Sequence, residues 1–279
     1  MSLYPGDYFD GESVLIVLAF VMFLRLCEFV CIGKYVEGYR MNGKLLNFLS
    51  IFNSYNILGF QTLLICLLSV PALLAHEVSL GVVTEKYFYL MTSCIFLSFA
   101  QSLLTYSLSF LASEEKLTSK GSTGNIVSDI YHGRELNPTW TGCNLKLQTF
   151  RFSMIGLAFL NVALVTQSLM ENNGEINFAV IMTSSMQVMY AMDAMFNEEY
   201  YFNSVDYLNS GYGWSVISSY LTFPFLPTLI TRYILHLNPT VQTAPLVFTG
   251  LLNLLGKVGN GIFEILIFPC IKFLKTGLG

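Results

Sequence analysis

Residues 87–111 read YFYLMTSCIFLSFAQSLLTYSLSFL, twenty-five positions without a charged side chain. A hydrocarbon core about 30 Å thick needs about 20 apolar residues of helix to cross it. The run therefore predicts a transmembrane helix, and the same test extends in both directions along the chain. Clear apolar spans fall at Val14–Ile32, Phe48–Leu74, Phe152–Leu169, Phe178–Phe196 and Trp214–Leu237. Two shorter candidates, Pro245–Leu255 and Ile262–Leu274, bring the expected architecture to an all-α, polytopic transmembrane bundle of about six to eight spans.

Composition agrees. Of 279 residues, 54% are hydrophobic and 11% charged, against roughly 25% charged in a soluble domain. A net charge of -4 with no basic arm gives no sign of a nucleic-acid partner, which requires a basic patch. The partner implied by composition is the lipid bilayer. The N-terminal MSLYPGDYFDGES is acidic and lacks the positive n-region of a cleaved signal peptide. Lys and Arg concentrate in the first and third connections (Lys34, Arg40, Lys44; Lys116, Lys120, Arg134, Lys146, Arg151). By the positive-inside rule those connections are cytosolic and the N-terminus lumenal.

Cys27, Cys31, Cys66, Cys94 and Cys270 lie in or beside apolar runs and read as small apolar residues of spans. Neither Cys nor His clusters in a metal-ligand spacing, so no metal site is expected. Pro71 should end or kink the second helix. Pro224 and Pro227 break the sixth and free carbonyls that neighbours must satisfy.

Charge inside a bilayer is costly, which singles out three places. Arg25 and Glu28 sit three apart and can pair on one helix face. Asp193, Asn197, Glu198, Glu199 and Asp206 form an acidic run with no cation near in sequence. It is either a solvated exit loop or part of a polar cavity. Asp129 with Gly133-Arg134-Glu135-Leu136-Asn137-Pro138 suggests an ordered turn with an internal ion pair, and Arg134 could hold a phosphate or carboxylate. The aromatics Phe202, Tyr207, Tyr212 and Trp214 are expected at the lipid or its interface.

Gly124-Asn125 followed by Asp129 and Gly133 to Pro138 resembles the G-N-x-x-x-D-F-x-x-G-R-E-L-N-P signature of the sterol reductase family, in its Δ14-reductase and lamin B receptor branch. 7-Dehydrocholesterol reductases are more distant. Ile32-Gly33-Lys34 to Gly38, Gln187 to Glu199, and Asp206 with Gly211-Tyr212-Gly213 resemble further family motifs in the same order. The resemblance covers about residues 14–263 and implies a bundle of the endoplasmic reticulum or inner nuclear membrane. It implies a sterol partner, and NADPH as the hydride donor for a sterol ring C=C.

On that resemblance, Asp193, Asn197, Glu198, Glu199, Asp206, Gly211 and Gly213 are candidates for the sterol pocket. Asp129, Gly133, Arg134, Glu135, Asn137 and Pro138 form the family turn. Departures accompany the match: the family's His-Asp is Asn209-Ser210, its Gly-Asp-x-x-Trp-Val-Pro-Phe reads Ser219 to Phe225, and its Arg-Pro-Gly is Arg151-Phe152-Ser153. Residues 1–263 therefore read as a truncated membrane domain and 264–279 as a divergent tail, with the NADPH-binding lobe missing. The expectation is a Δ14-sterol reductase-like protein, impaired or inactive as this chain. The alternative is a non-catalytic sterol-binding or lamin B receptor-like scaffold.

Overall fold

The structure, a computed structural model, describes residues 10–30, 36–41, 44–48, 57–76, 80–140, 143–202, 204–237 and 255–256. At 28–30, 36–41, 44–48, 57–58, 199–200 and 205–206 it describes the backbone alone. The chain is mostly helical, with two short antiparallel strand pairs. In order run α1 (Gly11–Val30), β1 (Val36–Met41), β2 (Lys44–Phe48), α2 (Ile57–Ala75), α3 (Gly81–Glu85), α4 (Tyr87–Leu108), α5 (Ile126–His132), β3 (Thr139–Trp140) and β4 (Cys143–Asn144). The second half comprises α6 (Leu145–Glu171), α7 (Phe178–Phe196), α8 (Glu198–Tyr201), α9 (Val205–Asn209), α10 (Trp214–Thr222) and α11 (Phe225–Leu237). Among the described residues, Tyr87–Leu111 and Leu145–Glu171 are long and apolar enough to cross a membrane, and Gly59–Ala75 is apolar but shorter.

Helix α6 is the axis of the bundle. Phe150 through Ala158 are buried without a break, so it shows no polar stripe, as a helix surrounded on all sides must. It packs against α2, α3, α7, α10 and α11, while α1 lies on α4 and α2. Asn144 caps its start by accepting from Leu147 N at 3.0 Å. Its end closes at Gly174 (φ 88), whose N–H reaches back to Leu169 O at 2.7 Å, and Asn177 then caps α7. The result is a tight α6–α7 hairpin.

The hydroxyls scattered through α4 do not disturb it. Ser93, Ser98, Ser102 and Thr105 each donate to a carbonyl three or four residues back, which satisfies them without water. Outside the apolar run, Asp10 accepts from Glu12 N and Ser13 Oγ at the start of α1 and pairs with Lys86 at 2.6 Å. The Lys86 hydrogen bond is the main reason its pKa is lowered to about 2.

Several expected boundaries move. The second span does not begin at Phe48: residues 44–48 pair as β2 with β1, and helix begins at Ile57. The fourth begins at Leu145 rather than Phe152, because Asn144 supplies the cap. Cys27, Cys66 and Cys94 are buried in the helices, whereas Cys31, Cys270, Ile262–Leu274 and most of Pro245–Leu255 lie outside the described residues.

The sixth span breaks between α10 and α11 at Phe223-Pro224. Neighbours take the carbonyls around the break. Leu226 N bonds Phe223 O at 3.3 Å and Thr228 Oγ1 bonds Pro224 O at 2.7 Å. Tyr87 donates its hydroxyl to Phe225 O, and Gln187 Nε2 reaches Pro227 O at 2.9 Å. Asn161, Gln187 and Thr231 complete a polar ring joining α6, α7 and α11.

Candidate functional site

The turn at 118–138 is built outward from Asp129. Its carboxylate accepts from Thr123 N at 2.9 Å, Thr123 Oγ1 at 2.8 Å and Gly124 N at 3.2 Å. Desolvation raises its pKa, but these hydrogen bonds and the Arg134 charge more than offset it, so the group lies below the ordinary carboxylate value. Asn125 caps α5 through Val127 N and Ser128 N, and Gly133 ends it at φ 80. Thr118 N then bonds Arg134 O at 2.7 Å, and Leu136 N bonds Lys116 O at 3.0 Å.

This turn docks onto the Gly211-Tyr212-Gly213 segment by backbone contact. Tyr212 N donates to Glu135 O at 2.8 Å. A Cβ on Gly133 would lie 2.2 Å from Gly213 N, and one on Gly211 would lie 2.0 Å from Gly133 O. Such approaches exclude any side chain. Ser215 Oγ adds a bond to Tyr131 O at 2.9 Å. The structure thus brings together Gly133, Glu135, Gly211 and Gly213.

The expected Arg134–Glu135 ion pair does not form. The Arg134 guanidinium lies 4.1 Å from the centre of the Phe110 ring, because the short antiparallel bridge Leu117–Glu135 sends adjacent side chains to opposite faces. Desolvation raises the Glu135 pKa. Arg134 Nη1, both amide atoms of Asn137 and Asn144 Nδ2 are buried without a partner among the described residues. Pro138 is buried beside them and receives Leu145 N on its carbonyl at 3.0 Å.

The acidic run is dispersed. Asp193 accepts from Asn197 Nδ2 at 3.1 Å on an exposed part of α7. The side chains of Glu199, Asp206 and Glu28 lie outside those described. Glu198 is buried and paired with Arg151 through Nε, and through Nη2 at 3.0 Å; their side chains are 3% and 4% exposed. Gly59 N also donates to Glu198, at 3.3 Å. The cation that balances the run therefore comes from α6. Lys146 is equally buried, donating to Tyr207 O at 3.1 Å and Ser210 O at 2.6 Å. Both residues lie in the first two turns of α6 and are buried rather than in an open connection. Phe202, Tyr207 and Tyr212 are likewise buried instead of interfacial; Tyr207 meets Tyr201 and Phe202 edge-on, and Gln101 Nε2 holds the Tyr212 hydroxyl at 2.7 Å. Arg25 donates to Trp140 O at 2.9 Å.

Two apolar cavities flank α1. One, of about 540 Å³, lies between α1, α4, α6 and α10; the other, of about 670 Å³, lies toward α2 and α3. Val17 and Phe152 line both. Asp193, Asn197 and Glu198 line neither. Sequence reasoning missed Gln101, Gln148 and Thr149, whose only signal is a polar residue at a helical position facing an apolar wall.

Residues 1–265 match the model of the Ergosterol biosynthesis ERG4/ERG24 family. The chain belongs to that family. It is 28% identical over 254 residues to Delta(14)-sterol reductase LBR of Gallus gallus, covering 89% of this chain and 38% of that protein. Delta(14)-sterol reductase TM7SF2 of Mus musculus is 29% identical over 212 residues, covering 75% and 50%. Delta(14)-sterol reductase ERG24 of Candida albicans is 26% identical over 246 residues, covering 81% and 54%. The chain thus spans about half the length, or less, of these sterol reductases.

The resemblance implies NADPH, and several of the described cations already have partners within the protein. Lys146, Arg151 and Lys86 are each engaged as above or by Asp10 and Glu12. Arg232 donates to Thr84 O and lies over Tyr87. Lys116 and Lys120 are exposed, and neither cavity presents more than one cation.

Proposed function

We propose that this chain is a Δ14-sterol reductase-like membrane protein of sterol biosynthesis whose described residues bind sterol without reducing it. One observation carries the reading. Glu198, the buried acid of the candidate run, accepts two bonds from Arg151 and one from Gly59 N. With its oxygens taken by the Arg151 guanidinium and Gly59 N, and lining neither cavity, this carboxylate is committed to an internal pair rather than presented to a sterol. The non-catalytic, lamin B receptor-like alternative rests on the same facts and differs only in partners.

The expected setting is a multi-pass bundle of six to eight spans in the endoplasmic reticulum or inner nuclear membrane, N-terminus lumenal. Support comes from the apolar helices α1, α2, α4, α6 and α7, and from Lys116, Lys120 and Arg134 gathering at one end. The purified chain in nanodiscs should bind a Δ14-unsaturated sterol saturably while NADPH stays unoxidised. Stoichiometric hydride transfer to the sterol would reject the proposal.

A further inference from the structure

The cleft of about 540 Å³ between α1, α4, α6 and α10 has the size of a small-molecule site. Its wall follows α1 from Val17 to Arg25, about 12 Å at the helical rise. The lining is graded along that length. Val17, Leu97, Phe152 and Leu221 make one end wholly apolar. Gln101, Thr105, Gln148 and Thr149 gather toward the other, beside Arg25 and Trp140.

The hydrogen bonds at the polar end are incomplete in a specific way. Thr149 donates to Lys146 O at 2.9 Å and Thr105 to Ser102 O at 3.1 Å, so both hydroxyl protons are used. Gln101 gives Nε2 to Tyr212, leaving Oε1 as an acceptor. The half-buried Gln148 amide makes no hydrogen bond to any described residue. An amide left unpartnered against apolar walls is unfavourable unless a ligand or water completes it. A hydroxyl suits these amides because it both donates, as Gln101 Oε1 requires, and accepts, as Gln148 Nε2 requires.

We propose that this cleft is a holding site for a sterol with a free 3-hydroxyl, seated head-first toward Gln101 and Gln148 and not reduced there. The proposal rests on the sterol reading above and adds where the sterol sits. Arg25 at this end is engaged by Trp140 O, and the neutral amides of Gln101 and Gln148 match a hydroxyl. Among the described residues no carboxylate lines the cleft.

The test uses the full chain in phosphatidylcholine nanodiscs with tritiated cholesterol and 5-cholestene, which lacks the 3-oxygen. Gln148→Leu should weaken cholesterol binding about tenfold, the loss of one hydrogen bond, and leave 5-cholestene binding unchanged. Leu104→Trp, filling the cleft, should abolish binding of both, while Leu111→Trp, exposed and outside the cleft, should bind as wild type. Should Leu104→Trp not fold, Gln148→Leu decides alone. Saturable cholesterol binding indifferent to Gln148→Leu overturns the site and leaves the sterol reading standing. Absence of saturable binding by the wild-type chain removes both. Equal competition by hexadecanol or diacylglycerol overturns the sterol occupant, and NADPH-dependent conversion that Gln148→Leu abolishes overturns the holding role.

Discussion

The turn at 118–138 and the segment after α7 both carry family residues, yet they are held in opposite ways. The turn is fixed by main chain meeting main chain: Gly133, Gly211 and Gly213 approach so closely that no Cβ fits. Glu198 is fixed by side-chain charge, through a guanidinium 47 residues away in sequence. A backbone-docked site tolerates almost no substitution at the contact. A charge-docked site tolerates replacing both partners but not one.

The largest effect should come from Gly133→Ala. It adds a methyl 2.2 Å from Gly213 N at a φ of 80, so two segments must separate. The expected outcome is loss of monodisperse protein on size-exclusion chromatography; a folded variant would dissolve the distinction. Next, Glu198→Gln or Arg151→Met should each cost about 3–5 kcal/mol by leaving one buried charge unpaired. The double variant Arg151→Met, Glu198→Leu should recover most of that loss in a thermal unfolding assay, since a buried pair replaced by apolar residues is often neutral.

Acid should then separate the regions more gently. The Asp129 pKa is lowered in the folded protein, so its contribution is complete above its unfolded value of about 3.9 and is lost as pH falls through the folded value. Hydrogen exchange at Thr123 and Gly124 should accelerate, relative to intrinsic rates, below about pH 4. Asp129→Asn should remove that dependence. The smallest effect belongs to Gly59→Ala, whose methyl would meet the Glu198 carboxyl at 3.0 Å. The carboxylate must give way slightly, and we expect a loss of about 1 kcal/mol in the same thermal assay.

The difference also explains what could be read from sequence. Long apolar runs announced α4 and α7, because crossing length and hydropathy are local properties; the bounds expected for Phe178–Phe196 coincide with α7. Pro224 announced the break for the same reason. The β1–β2 pair was overlooked although Asn42-Gly43 lies between the two strands in sequence, a strong hairpin signal, because Phe48 was counted toward a span. Arg151 and Lys146 read as loop cations because their partners, Glu198 and the carbonyls of Tyr207 and Ser210, meet them only in three dimensions. Gln148 could not be recognised either, since nothing local tells an amide facing a cleft from one facing a carbonyl.

Burying Lys146 and Arg151 in α6 has a consequence for how the protein is made. Each cation adds to the cost of inserting α6 alone, by less than the mid-bilayer figure of about 2.5–3.5 kcal/mol because both lie in its first two turns, and the groups that answer them follow α7 in the chain. Helix α6 alone is thus a reluctant occupant of lipid. It settles once α7, α8 and the stretch to Ser210 have been synthesised, which makes residues 145–210 one unit of membrane integration.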